Sequence, residues 1–361
     1  ESGSTGVLLP GREGSLLVRE LRQAFAKRGV TVRFLDLDLE KDLAGAVARE
    51  LAEERPSLYL TVNFHGLDPQ GQVFHLLDEA GVKVAAWCVD NPWHLLSGLK
   101  SGFWRELLLF VTDGSFIPGL KAHGAEQVRR LPLAAWEEMA ELAEEGGDED
   151  LGEGLVFVGR SGFPGKDSFF ASIGVEEGLM ESARQLMAQG GRPDFHWWRE
   201  RMGVERCWPG REVRGPGLGA EESGLAFRTM CLEAAMPLGL KVYGDEGWRE
   251  KLGKEVELRE PVDYYGPLAG IYRGALMQLN MTSPLLPAGL TQRHFDVWAC
   301  GGFLLTDATP GLSLFPDALV DHVLFGRPGD IPAAYERVMR EPSLYDDLKK
   351  AWREVILGEH L

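Results

Sequence analysis

Asp296 is the only carboxylate in the run Phe295, Asp296, Val297, Trp298, Ala299, and an acid in such apolar company requires a partner or a ligand. It belongs to a longer stretch, residues 287–307, that reads as a loop, a short helix opening near Thr291, a small-residue turn at Cys300, Gly301 and Gly302, and a strand from Phe303 to Thr306. The Thr291 hydroxyl is placed to accept a hydrogen bond from one of the first free N–H groups of that helix. Gly289, with no side chain in the way, would leave the remaining N–H groups open to a phosphate. A second acid, Asp90, follows the apolar strand expected over Val82 to Trp87 and precedes Pro92; Asp90 or Asn91 caps the next helix, and Asp90 is the candidate general base. His65 and His94 lie on polar segments after strands, where a histidine is ordinarily a hydrogen-bonded structural group and here also a candidate for the acceptor side. Arg160 and Lys166 stand six residues apart across a segment containing Gly162, Pro164 and Gly165.

These residues need a scaffold that brings strand ends together, and the chain supplies one. An apolar strand at Val7 to Pro10, a glycine-bearing turn, an amphipathic helix from about Ser15 to Arg28 and a second strand, VTVRFLDLDL, make a βαβ opening. Strands are expected again at Ser57 to Val62, Val82 to Trp87, Leu107 to Thr112 and Gln127 to Pro132, with helices between. A second series starts with the strand Leu155 to Val158 and continues with strands at Leu238 to Tyr243 and before and after the Thr291 helix. Between the two series, residues 135–154 carry many acids and several glycines, as a solvated linker or exposed helix does. The loop Pro10 to Ser15 lacks the GxGxxG spacing of a dinucleotide fingerprint.

Composition narrows the class. The 361 residues suffice for two domains, and no apolar run approaches the ~18 residues of a membrane span. A formal net charge of -17 argues against a general nucleic-acid binder. Cys88, Cys207, Cys231 and Cys300 are far apart, with neither a CxxC pair nor zinc-like His spacing, so buried thiols in the cytoplasm are expected, with no resident metal. The opening ESGST reads as an appended or internal start, and the C-terminal helix as one that relatives would continue.

The runs QRHFDVWACGGFLLTD and GPLAGIYRGALMQLNMTS resemble the CgeB-like glycosyltransferases, a group related to the family 4 glycosyltransferases of GT-B fold; the DNPW run around Asp90 resembles their N-terminal half. The resemblance implies an α/β protein of two Rossmann-like domains with a cleft between them. It implies an N-terminal, acceptor-side domain over 1–135, a linker over 136–154, a C-terminal, nucleotide-sugar-binding domain over 155–340 and a terminal helix over 341–361.

By the same resemblance Asp296 is the ribose ligand, and Arg160 and Lys166 grip the donor diphosphate, whose leaving group gains negative charge as the glycosidic bond breaks. Tyr265, Gly266 and Leu268 would approach the base, Thr282 and Ser283 the phosphates, and Gly289, Leu290 and Thr291 the helix entrance. Arg293 is a further phosphate ligand or the ion-pair partner of a nearby acid. Ala288 stands where family 4 enzymes carry the acid that holds the donor sugar. The implied activity moves a sugar from a nucleotide-diphosphate sugar to a glycan, protein or small-molecule acceptor, with no metal or other cofactor. An inverting reaction would use Asp90 as base and a retaining one no base. A non-catalytic nucleotide-sugar-binding or assembly protein is the alternative, with a nucleotide-sugar epimerase behind it.

Overall fold

Two all-parallel six-stranded sheets carry the chain, and each draws its strands from one half of the sequence. The structure, a computed structural model, describes residues 6–145, 151 and 154–361. In the first half β1 (Val7–Gly11), β2 (Val32–Asp36), β3 (Leu58–Val62), β4 (Lys83–Cys88), β5 (Leu108–Val111) and β6 (Gln127–Arg130) pair in the order β2-β1-β3-β4-β5-β6. In the second, β7 (Leu155–Val158), β8 (Lys241–Tyr243), β9 (Glu257–Arg259), β10 (Met277–Asn280), β11 (Leu304–Asp307) and β12 (Leu324–Phe325) take the order β12-β11-β10-β7-β8-β9. Parallel neighbours require a crossover between them, and helices supply it, which is why the strands are continuous apolar runs such as LVFV rather than alternating ones.

The chain divides into two units, Glu1–Pro132 with Val204–Val213, and Leu133–Gly203 with Arg214–Leu361. The small segment 204–213 is held to unit 1 by aromatics: Trp208 meets Trp104 edge-on at 5.7 Å, and the Arg105 guanidinium lies 4.7 Å over the Trp208 ring. The core of unit 2 gathers Phe157, Trp248, Phe295, Trp298, Phe303 and Trp352, with Trp298 and Trp352 stacked at 4.9 Å.

Two expectations change. Within the supposed linker 136–154, residues Glu137–Glu145 form a helix that buries Met139 and Ala143 in the unit 2 core beside Trp136. The acids face outward from an apolar stripe at helical spacing, so the charge run concealed an amphipathic element. Residues 146–150 and 152–153 of that linker, like the opening ESGST, lie outside the described residues. The strand expected from Leu238 begins only at Lys241, after a 3-10 turn over Met236–Leu238. Residues 168–227 include the helices Glu177–Ala188 and Phe195–Arg201 and most of the long helix Arg214–Ala235.

No helix among the described residues is long and apolar enough to cross a membrane. All four cysteines are free and buried.

Candidate functional site

In parallel α/β sheets the carboxyl ends of strands converge on the ligand side, and both units crowd polar side chains there. In unit 1 the chain leaves β3 through Asn63 and Phe64, both with positive φ, 53° and 62°. Two hydroxyls fix this turn from below. Thr61 Oγ1 donates to the His65 carbonyl and Tyr59 Oη to the Gly66 carbonyl, the latter at 2.6 Å. Gly66 cannot be replaced cheaply: at φ 81° a Cβ would lie 2.4 Å from the Pro10 Cβ.

So held, Asn63 reaches across to the end of β4. Its Oδ1 accepts from the Val89 N–H at 2.9 Å, and its Nδ2 donates to Asp90 Oδ2 at 2.7 Å. Asn91 rather than Asp90 caps the following helix, Pro92–Leu96, by accepting from the Trp93 N–H at 3.0 Å. Asp90 therefore keeps its carboxylate for other work. Its side chain is open to solvent, yet the protein packed around it raises its pKa by desolvation, while the Asn63 hydrogen bond and His65 pull the other way. The pKa of His65 is lowered by burial and by Arg12, with Asp90 opposing. Arg12, His65 and Asp90 thus sense one another at the ends of β1, β3 and β4. His94 sits half-buried in the Pro92–Leu96 helix.

In unit 2 the loop after β7 is pinned from behind at four consecutive carbonyls. Arg293 Nη1 donates to Val158 O at 2.6 Å, Trp248 Nε1 to Gly159 O at 2.8 Å, and Arg228 to Arg160 O at 3.0 Å and Ser161 O at 3.5 Å. Asp245 holds the other side by accepting from Ser161 N and Oγ at 3.0 and 2.6 Å; burial works against this carboxyl, but the Ser161 and Gly247 hydrogen bonds and Arg160 keep it below the usual range. The Arg160 side chain is exposed, and Lys166 Nζ lies 2.7 Å from Glu222 Oε1. Residues 158–161 are thus held in place with Arg160 exposed among them, while Lys166 opens the helix Lys166–Phe169 that follows.

The roles expected of several residues shift. Arg293 is packed into the protein rather than extended: Nε donates to Asn280 Oδ1 at 2.7 Å, and burial lowers its pKa. It holds the β7 loop through the Val158 carbonyl, and no acid pairs with it among the described residues. The helix opens at Arg293, with Gln292 at the N-cap and no side-chain cap. Thr291 Oγ1 donates instead to Asn280 Oδ1 at 3.1 Å, while His294 Nδ1 accepts from the Thr291 N–H at 3.0 Å. At seven residues this helix offers little dipole, so the expected phosphate seat at Gly289 and Thr291 loses its basis.

Asp296 is 1% exposed, its Oδ2 accepting from Tyr264 Oη at 2.8 Å and its Oδ1 from Gln292 Nε2 at 2.9 Å. The acid that needed a reason has protein partners, under Tyr264, whose ring stacks on Trp136 at 6.5 Å. Thr282 is likewise engaged: its N–H and Oγ1 donate to Asp307 at 2.8 and 2.6 Å. Leu268 and Leu290 are core residues. Tyr265 is half-buried against Trp136, and Gly266 is exposed.

Sequence reasoning missed the polar groups that knit the strand ends together. Asn280 Nδ2 donates to Thr306 Oγ1 at 2.9 Å, and His294 Nε2 lies 3.2 Å from the same hydroxyl. Arg192, ninety residues upstream of Thr282, forms an ion pair with Asp307 at 3.2 Å and donates to Ser283 O at 3.0 Å. Thr282, Asp307, Arg192, Arg327 and Phe227 line a cavity of about 80 Å³. The position of Asp307 at the end of an apolar strand was a usable signal; Arg192, inside an irregular stretch, left none.

With this geometry in place, comparison with known proteins adds the following. Residues 228–361 match the family described as Glycosyl transferase-like. No curated protein matches the chain. Among solved structures, Anabaena HepE in complex with UDP-glucose aligns with a TM-score of 0.52 at 9% identity, covering 98% of this chain and 95% of that one. OtsA in its apo form aligns with a TM-score of 0.52 at 11% identity, covering 98% and 96%. The chain has the GT-B fold, and the family match covers its residues 228–361, from inside the Arg214–Ala235 helix to the C-terminus.

Proposed function

We propose that the protein is a glycosyltransferase that moves a sugar from a nucleotide-diphosphate sugar to a hydroxyl-bearing acceptor. The observation that carries the reading is the β7 loop, fixed at four carbonyls with Arg160 on it and Lys166 opening the helix that follows, in the unit that contains the segment matching the Glycosyl transferase-like family. The UDP-glucose in the HepE structure supports a UDP-sugar as the first donor to test. The nucleotide sugar is itself the activated substrate, so no resident cofactor enters the proposal, and four buried thiols suit a cytoplasmic setting.

Arg160 and Lys166 neutralise the diphosphate as it departs with the bonding electrons of the glycosidic bond. Lys166 exchanges Glu222 for a phosphate oxygen on donor binding. In an inverting reaction Asp90 takes the acceptor proton, and its raised pKa strengthens it as a base. The finer resemblance to CgeB-like enzymes stays within this reading. For Asp296 to hold a ribose, Tyr264 must release it, and we propose that exchange as the cost of donor entry.

A second reading, a binding protein of GT-B fold without turnover, is favoured by the enclosure of Asp296 and by Ala288 in place of an acid. One experiment separates the two. Thermal shift with UDP, GDP, ADP and CMP and their sugar conjugates names the donor, and product analysis with that donor follows. A new glycoside supports transfer; donor binding with no product or hydrolysis under any acceptor supports the second reading. No thermal shift with any nucleotide refutes both.

A further inference from the structure

We propose that Phe163 is the platform on which the sugar of the donor stacks. The inference rests on the reading that Arg160 and Lys166 meet the diphosphate, and it names what holds the group bonded next to it. Phe163 stands midway between Arg160 and Lys166 in sequence and is 38% exposed. The hydrogen bonds that hold the carbonyls of residues 158–161 come from Arg228, Trp248 and Arg293 and use no atom of Phe163. Residues 146–150 and 152–153 precede β7 in the chain, and this loop leaves the opposite end of the strand.

Its contacts place the ring beside Lys166. The Lys166 N–H donates to the Phe163 carbonyl at 3.2 Å, which closes a tight turn between the two residues. The Lys166 stem runs back over the loop, since a Cβ on Gly162 would lie 3.6 Å from Lys166 Cδ. The Phe163 ring packs on Phe169 at 6.1 Å and on Phe170 at 5.9 Å, and these follow Lys166 at the helical spacings that put side chains on one face. This floor is itself fixed. Phe169 and Phe170 meet edge-on at 4.9 Å, the Arg214 guanidinium lies 4.1 Å over the Phe169 ring, and Arg214 Nη1 donates to the Phe169 carbonyl at 2.9 Å. A ring ordered before the ligand arrives spares binding that cost.

A single exposed apolar side chain is ordinary on a protein surface, and its placement is what gives this one a use. A nucleotide-diphosphate sugar carries a sugar on one side of the diphosphate and a nucleoside on the other. A nucleobase is told apart by its hydrogen-bonding edge, and residues 162–165, Gly-Phe-Pro-Gly, offer no polar side chain to read one. A pyranose turns a face of slightly positive C–H bonds toward the negative face of an aromatic ring, which asks for no further group on the platform. The flanking glycines keep the approach clear. A Cβ at Gly165 would meet nothing within 4 Å, and one at Gly162 only the Lys166 stem.

Isothermal titration of the full chain with UDP and UDP-glucose, GDP and GDP-mannose, and ADP and ADP-glucose tests this, because within each pair the sugar is the added group. In the pair that binds, Phe163→Ala and Phe163→Leu should weaken the nucleotide sugar about fivefold and leave the bare diphosphate within about twofold of wild type, while Phe163→Tyr keeps the ring and the affinity. Phe163→Leu retains an apolar side chain against Phe169 and Phe170, so its melting temperature without ligand should stay near that of wild type. Arg160→Ala should weaken both members of the pair alike. Equal losses for both members in the Phe163 variants would tie the ring to the nucleoside or to the folding of the loop and overturn the platform. Unchanged affinity for both would overturn it too, and in either case the diphosphate site would stand. Binding of no pair by the wild type overturns this inference together with the transferase reading.

Discussion

Replacing His294 by Asn should flatten the acid side of the stability profile of unit 2. The imidazole is 1% exposed between Thr291, Asn280 and Thr306, and burial lowers its pKa from 6.5 to about 3, helped by Arg293 and Arg192 and opposed by the Thr291 carbonyl. Because the folded value is depressed, the unfolded chain binds the extra proton throughout the window between the two values. Stability therefore falls as pH falls from about 6.5 toward about 3, by about 1.4 kcal/mol per pH unit. Between pH 7 and pH 5 about 1.5 units lie inside that window, giving a loss of about 2 kcal/mol assignable to this residue. Asp307 acts in the opposite sense, since burial raises its pKa despite Arg192 and Thr282, so the comparison must be between variants rather than between pH values alone. Urea unfolding at both pH values, in wild type and in His294→Asn, measures it. The wild type should lose about 2 kcal/mol more on acidification than the variant. Equal losses would mean that His294 is not held neutral, and the network joining the Arg293–Ala299 helix to β10 and β11 would then be misassigned.

Three further outcomes are expected. Lys166→Ala should raise the donor KM about tenfold with a smaller effect on melting temperature, whereas Glu222→Gln, which releases Lys166, should not weaken the donor; steady-state kinetics with the identified nucleotide sugar reads both. Tyr264→Phe deletes the hydroxyl that donates to Asp296 and leaves a buried carboxylate one partner short, for a loss of about 1–3 kcal/mol in denaturant unfolding; an unchanged midpoint would show that Asp296 is not enclosed as described. If Asp90 is the base, turnover rises with pH through a value above the ordinary 3.8 of an aspartate. Asn63→Gly, which tolerates the φ of 53° and removes the hydrogen bond that lowers that value, should move the limb upward. A pH profile identical to wild type would remove Asp90 from the mechanism.

The central parallel strands were legible because β3, β4, β7 and β11 are apolar runs followed by polar residues, whereas the edge strand β9, ELR, carries no such signal. The site was legible only in outline. Arg160 and Lys166 stood out because a glycine-containing loop follows a strand; the structure exposes Arg160 on that loop and places Lys166 at the start of the next helix, paired with Glu222. Asp296, Arg293 and Thr282 drew notice for the same reason that misled: polar residues in apolar surroundings signal a function or a satisfied hydrogen bond, and only coordinates tell which. Their partners, Tyr264, Asn280 and Asp307, are 32, 13 and 25 residues away in sequence, brought close by tertiary packing that no local pattern encodes.

The proposed role of Asp90 as base is supported by the turn after β3. A helix start at Pro92 needs one cap, and Asn91 provides it. A strand end needs no left-handed residues, yet Asn63 and Phe64 both adopt them, at a cost of about 1–2 kcal/mol for a bulky side chain such as Phe64. That strain persists because Tyr59 and Thr61 tie down the two carbonyls that follow. What the strained turn achieves is the placement of one amide, whose oxygen fixes the Val89 N–H and whose nitrogen holds one oxygen of Asp90 while leaving the other unengaged by it. A carboxylate aimed by a strained amide, raised in pKa and still open to solvent, is the arrangement a general base requires.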